Sequence, residues 1–372
     1  MNRLQALHEA GVSIWLDTLS RELLDSGDFA DLIADCAVTG ATSNPTIFAK
    51  AISGSDRYDE QLRTAVASGA RDPQQLFFEL ALEDVRRAAD LLRPAHDNSG
   101  GRDGFVSFEC TPDLADDTHA TIEQAFELWH RLARPNVMIK VPATDAGIPA
   151  IEELTARGVN VNITLLFSVG RYEQVIDAYM TGLERRLAAG EPVHAVASVA
   201  SFFVSRVDAK VDALLRDDSD LRGRVAIANA RWAYARYLDL FSEDRCLADN
   251  RWRRLRDAGA RPQRPLWAST GTKNPAYSDV LYVENLIARD VVNTMPEATL
   301  RAFADHGDVQ HALPIAGQAS ATLRRARGAG IDLEAVAAEL EREGVRSFCD
   351  SYHELLVSIE AKLHPTLDRA RA

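Results

Sequence analysis

Lysine is almost missing from this chain of 372 residues. It occurs only at Lys50, Lys140, Lys210, Lys273 and Lys362, and the rest of the 42 Lys+Arg positions are arginines. Cysteine is also scarce. Cys36, Cys110, Cys246 and Cys349 are scattered, with no C-x-x-C pair. That spacing fits neither a zinc site nor a disulfide framework, and reduced thiols of a cytoplasmic protein are expected. No apolar run approaches the ~20 residues that a membrane span needs. The opening "MNRLQALHEAGVSIWLD" has no sustained apolar core, so no signal peptide is expected. Positive charge is lacking as well. A net charge of −13 argues against a nucleic acid or an anionic membrane as partner. A phosphorylated small molecule stays compatible, because a local Arg or Lys pair is enough to hold it. G-x-G-x-x-G, Walker A, G-x-S-x-G and H-E-x-x-H are all absent. Nothing therefore points to a nicotinamide, a flavin or pyridoxal phosphate, and no cofactor is expected.

What is present is an alternation. The composition, 46% hydrophobic and 26% charged, is that of a globular protein. Short β-rich runs fall at 13–17, 37–43, 104–109, 137–143, 161–167, 193–200, 264–270 and 290–296. Segments with apolar residues at helical spacing separate them. Strands that are apolar on both faces and alternate with helices predict a parallel sheet. Eight of them predict a (β/α)8 TIM barrel, one domain over 1–372, with an open doubly wound sheet as the alternative. Residues 44–103 and 207–263 read as helical insertions. Residues 314–372 read as C-terminal helices packed outside the barrel.

In such a barrel, reactive groups gather at the C-terminal ends of the strands. That rule selects Asp17, Asn44, Glu109, Lys140, Asn162, Thr164, Ser201, Arg206 and Lys273. Lys140 lies within the apolar run "NVMIKVPATDAG". Burial disfavours an ammonium, and a neutral amine can attack a ketone to form an imine. The competing reading is a lysine whose stem is buried and whose ammonium reaches the surface or a carboxylate. Asp17 and Glu109 both close apolar runs. Each alone fits a helix cap or an arginine partner, whereas beside an imine-forming lysine they fit proton transfer. His306, Asp308 and His311 have no recognised metal-ligand spacing and read as a solvated loop, so no metal is expected. "NIT" at 162–164 matches a glycosylation sequon but sits in a buried-type strand.

"VTGATSNPTIF" and "VMIKVPATDAGIPAIEELTARGVNVNITLLFS" occur in that order. They resemble the two signatures of the transaldolases, Schiff-base enzymes of the class I aldolase type, and the resemblance runs over essentially the whole chain. It implies a TIM barrel without metal or organic cofactor that moves a dihydroxyacetone unit between sugar phosphates of the pentose phosphate pathway. Donors would be sedoheptulose 7-phosphate or fructose 6-phosphate. Acceptors would be glyceraldehyde 3-phosphate or erythrose 4-phosphate. Lys140 matches the imine-forming lysine, and Asp17 the aspartate that exchanges a proton with the C4 hydroxyl. Glu109 matches the acid/base that works through a water, and Thr164 the residue that orients it. Asn44, Asn162 and Ser201 match positions holding the dihydroxyacetone unit. Arg206 matches a phosphate-binding arginine, and Phe203 an aromatic near the site. Two departures stand out. "SFFVSR" replaces a Ser-Pro-Phe-Val-Gly-Arg run, and "STGTKNP" offers Lys273 where many relatives have a second phosphate arginine. These features and the insertions resemble the longer bacterial branch, as monomer or homodimer. The rival readings are an aldolase that releases free dihydroxyacetone and a barrel that serves only as a scaffold.

Overall fold

Eight parallel strands close into a barrel in chain order in the computed structural model, which describes residues 2–242, 250–309 and 316–371. They are Val12–Leu16 (β1), Val38–Thr42 (β2), Phe105–Glu109 (β3), Val137–Pro142 (β4), Val161–Leu166 (β5), Ser198–Phe203 (β6), Arg264–Ala268 (β7) and Val291–Met295 (β8). The TIM barrel is the architecture expected from the alternation, and the open sheet is excluded by the pairing of β1 with β8. The strands are buried on both faces because helices cover the outside and side chains fill the inside.

Period-two alternation decides which side chains face the barrel axis. Ser13 and Trp15 on β1 point in the same direction as Asp17, which follows the strand. Met138 and Lys140 do the same on β4. Trp15 occupies the middle of the barrel, fully buried, with its indole N–H donated to Asp103 at 2.8 Å. Gly40 on the neighbouring strand makes room for it, since a Cβ there would lie 2.5 Å from the indole. The interior is therefore plugged beneath the level of Lys140, and chemistry is confined to the C-terminal mouth.

Two expectations change. The sixth strand runs from Ser198 to Phe203, not over 193–200, so Ser201 lies on the strand and does not follow it. The early part of that run, "VHAVA", is apolar but has no strand partner, and register with β7 begins at Val199. The C-terminal helix Leu333–Arg371 is not confined to the outside of the barrel. It crosses the mouth. One end is held by Lys210, which pairs with Glu339 at 2.7 Å and Glu343 at 2.6 Å. Further along, Ser351 accepts from Thr46 at 2.7 Å and Lys362 pairs with Asp59 at 2.8 Å. Between these anchors Gly344 lies over the barrel, where a Cβ would sit 2.8 Å from Leu165. A side chain at 344 would require the Leu165 side chain to shift.

The long connections are helical. Pro45–Ser53, Asp59–Ala67 and Pro73–Asn98 fill the first; Ser205–Leu214, Val225–Phe241 and Asn250–Asp257 fill the second. Among the described residues, no helix is long and apolar enough to cross a membrane.

Candidate active site

Pairing register builds the reactive centre. Glu109 on β3 is level with Lys140 on β4, and Lys140 is level with Asn162 on β5. All three are buried. The Lys140 ammonium donates to the Ser43 carbonyl at 3.0 Å and lies 3.4 Å from Glu109 Oε2. It does not reach the surface; of the two ends that the competing reading allowed, the structure shows the carboxylate, Glu109. Asn162 donates to Ser107 Oγ at 2.9 Å and accepts from Ser201 Oγ at 2.6 Å. These bonds fix the orientation of its amide beside the amine.

Asp17 accepts from Thr42 Oγ1 at 2.7 Å, and the same hydroxyl lies 2.7 Å from Thr294 Oγ1. Burial pushes the Asp17 carboxyl above its ordinary range, against the pull of Lys140, Thr42 and Arg206. Burial raises Glu109 as well, with Lys140 opposing and Asp17 adding. Two acids with raised proton affinity thus flank one amine, the arrangement that acid–base chemistry near neutral pH requires.

Thr164 Oγ1 is buried and has no hydrogen-bond partner among the described residues. It stands next to Leu165, whose φ of 58° is in the left-handed region, where a non-glycine residue is strained. β5 and β6 lose regular register there, between Ile163 and Leu166. Such strain gathers at functional positions. Asn44 caps the Pro45–Ser53 helix, accepting from Ile47 N at 3.0 Å through its carbonyl oxygen.

A cavity of about 160 Å³ opens above Lys140 and is lined by Asp17, Asn44, Thr164, Ser201, Phe203, Arg206, Lys273 and Phe348, among others. Arg206 and Lys273 form its cationic end. The Arg206 guanidinium packs 5.1 Å from the Phe203 ring centre and 5.9 Å from that of Phe348. Burial and the neighbouring Arg206 pull the Lys273 ammonium below its usual value. Neither cation has a hydrogen bond or close ion pair among the described residues. Two adjacent cations, Arg206 half-buried and Lys273 exposed, without a close carboxylate suit an anion.

Nine of the ten residues selected from sequence line this cavity or, like Glu109, touch Lys140 directly. Asn162 is held just below, through Ser201. His306 is taken up by Asp279 and Asp305, His311 lies outside the described residues, and no cluster of potential metal ligands occurs among those described. The sequon residue Asn162 is fully buried. Sequence reasoning missed Thr42, Ser43, Thr294 and Phe348. The first two lie inside the quoted block "VTGATSNPTIF" and were open to notice. Phe348 carried no local signal, because its role depends on where a distant helix lands.

A family model described as "Transaldolase/Fructose-6-phosphate aldolase" matches residues 14–359. A protein of Saccharopolyspora erythraea named "Transaldolase" is 50% identical over 368 residues, which cover 97% of this chain and 98% of the relative. Proteins of the same name from Parafrankia sp. and Mycobacterium tuberculosis are 50% and 49% identical over 367 residues, with 97% of this chain covered in each case. A family match over most of the chain and relatives half identical over nearly its full length show that the chain belongs to the transaldolase/fructose-6-phosphate aldolase family.

Proposed function

We propose that this protein is a transaldolase that carries a dihydroxyacetone unit on Lys140 as an imine. The observation that carries the reading is the buried Lys140 amine, 3.4 Å from a Glu109 carboxyl whose proton affinity is raised by burial. Glu109 takes a proton from the ammonium. The neutral Nζ then adds to the C2 ketone of a ketose phosphate, and Glu109, through a water held by Thr164, returns a proton as hydroxide departs. The product is a protonated imine. Asp17 removes the proton of the C4 hydroxyl, the C3–C4 bond breaks, and its electron pair moves into the imine. An aldose phosphate leaves and an enamine stays on Lys140. Addition to a second aldehyde and hydrolysis reverse these steps.

Asn44, Asn162 and Ser201 hold the hydroxyls of the three-carbon unit. Asn44 uses its carbonyl oxygen for the helix cap, which leaves its amide N–H groups for the substrate. Arg206, backed by Phe203, and Lys273 receive the phosphate. Sedoheptulose 7-phosphate and fructose 6-phosphate suit the donor role, with glyceraldehyde 3-phosphate and erythrose 4-phosphate as acceptors. The setting is the cytoplasmic pentose phosphate pathway. Cys36, Cys110 and Cys349 are free thiols, which agrees with a reducing compartment.

Incubation with fructose 6-phosphate, borohydride reduction and peptide mass spectrometry should place a dihydroxyacetone-sized adduct on Lys140. An active enzyme with no adduct there would sink the reading. The family description also names an aldolase. Dihydroxyacetone released from fructose 6-phosphate without erythrose 4-phosphate would favour that activity.

A further inference from the structure

The two cations of the phosphate end come from different elements, yet one helix governs both. Arg206 is the second residue of the helix Ser205–Leu214. Lys273 lies in the loop after β7. That loop is tied to the same helix at two places. At its start, Ser205 N donates to the Ser269 carbonyl at 3.0 Å, and the two serine hydroxyls meet at 2.9 Å. At its far end, the Tyr277 hydroxyl donates to Asp212 Oδ2 at 2.7 Å. Asp212 is itself buried, and its other oxygen accepts from Gly223 N at 3.1 Å.

The seat of Tyr277 is close-fitting. Gly223 has φ +67°, and a Cβ there would lie 2.9 Å from the tyrosine ring. The loop also braces itself. Thr272 Oγ1 donates to the Ser278 carbonyl at 2.8 Å, and Asn274 Oδ1 accepts from Ala276 N at 3.0 Å. Lys273 is thus held between two staples, both on the helix that carries Arg206 in its first turn. The spacing of the two cations is set by this helix and not by contact between them, since they repel.

We infer that Tyr277 and Asp212 are positioning residues, which fix Lys273 relative to Arg206 and so tune affinity for the substrate phosphate. The inference rests on the reading of Lys273 as a phosphate ligand. It needs no contact between Tyr277 and substrate. A lysine is a point charge on a flexible stem and gains most from a backbone that presents it. An unclamped loop would lose phosphate affinity while Lys140, Asp17 and Glu109 kept their geometry.

Tyr277→Phe removes the hydroxyl and keeps the ring in its seat. Two readouts are compared: steady-state kinetics with fructose 6-phosphate and erythrose 4-phosphate, and competitive inhibition by inorganic phosphate. The expected result is a rise of about fivefold in KM for the donor and in Ki for phosphate, the scale of one hydrogen bond. The kcat and the yield of borohydride-trapped Lys140 should not change. Tyr277→Phe added to Lys273→Ala should have no further effect, because both act through one group. Unchanged KM and Ki would overturn the inference. So would a fall in kcat and trapping with KM unaltered, which marks a general structural role, and so would additivity in the double variant. Lys273→Ala separates the two levels. If it leaves Ki for phosphate unaltered, the Lys273 reading fails first and the positioning role fails with it. If it raises Ki while Tyr277→Phe does not, only the positioning role fails.

Discussion

The two ends of the cavity are built on opposite plans. At the reacting end, one amine faces two carboxyls, and all three arise from a strand or the residue just past it. These groups are buried, so the cost of desolvation appears as raised proton affinity of Asp17 and Glu109. At the phosphate end, two cations stand together with no close carboxylate, on a helix start and a loop, and the barrel strands supply only the ring of Phe203. The first plan suits groups that exchange protons among themselves. The second suits groups that await a charge from outside. The contrast teaches that chemistry and affinity are separable in this site, and mutations should separate them.

The largest effect falls at the reacting end. Lys140→Met keeps the stem and removes the amine, so turnover should drop to background and no adduct should form with borohydride. Folding should survive, because burial already raises the proton affinity of Glu109, which can take up a proton once its partner is gone. Asp17→Asn comes next. It should lower kcat by about 10²- to 10⁴-fold, the range for loss of a general base. A borohydride-trapped adduct should still form on Lys140, now the size of the whole ketose phosphate, since attack on the ketone does not use Asp17 whereas C3–C4 cleavage does. Loss of trapping in Asp17→Asn would merge two roles that are here kept apart.

The reacting end was legible in the sequence for the same reason that it is rigid. A side chain at a strand end has its direction set by period two and its level set by register, so "SIWLD", "FVSFE" and "VMIKV" could be placed together before any coordinates. Lysine scarcity added a signal that arginine-rich chains rarely offer. The phosphate end was legible only through resemblance. Lys273 is in a loop that Tyr277 ties to Asp212, a residue far from it in sequence. Phe348 is on a helix whose position over the mouth depends on Gly344, Lys210 and Thr46. Ser201 was misplaced by a strand boundary, because "VHAVASVA" is apolar throughout and periodicity cannot tell where hydrogen bonding begins.

Smaller effects test the phosphate end and the support of the acids. Arg206→Gln should raise KM for the phosphorylated donor by roughly 10- to 100-fold, the worth of a charge-assisted hydrogen bond, with a much smaller change in kcat. A dominant loss of kcat would mean that Arg206 acts on the reacting atoms, and the separation of the two ends would break. Thr42→Val is subtler. Its hydroxyl stabilises the charged form of Asp17, and without it the Asp17 carboxyl rises further. Asp17 works as a base when ionised, so the acid limb of the kcat profile should move to higher pH. A limb that moves down or stays in place would assign it to another group.

The smallest effect on turnover belongs to the scaffold beneath the phosphate end. Asp208 is one helical turn before Asp212, and burial together with that neighbour pushes its carboxyl to about 7. Ala226 N donates to it at 2.8 Å, which opposes the rise without cancelling it. The folded protein therefore holds this proton over a range in which the unfolded chain has released it. Its contribution to stability is full below the unfolded value of 3.8 and is lost as pH rises towards 7. The slope from this one group approaches about 1.4 kcal/mol per pH unit inside that window. Asp208→Asn removes the titration and keeps a side chain of the same shape. Urea unfolding from pH 5 to 7 should then show a flatter fall of stability than in the parent, while kcat and KM at pH 7 stay close to the parent values. An identical slope in both proteins would show that Asp208 is already ionised in the fold, and that the acidic face of this helix supports the Lys273 loop as charge and not as a neutral acid.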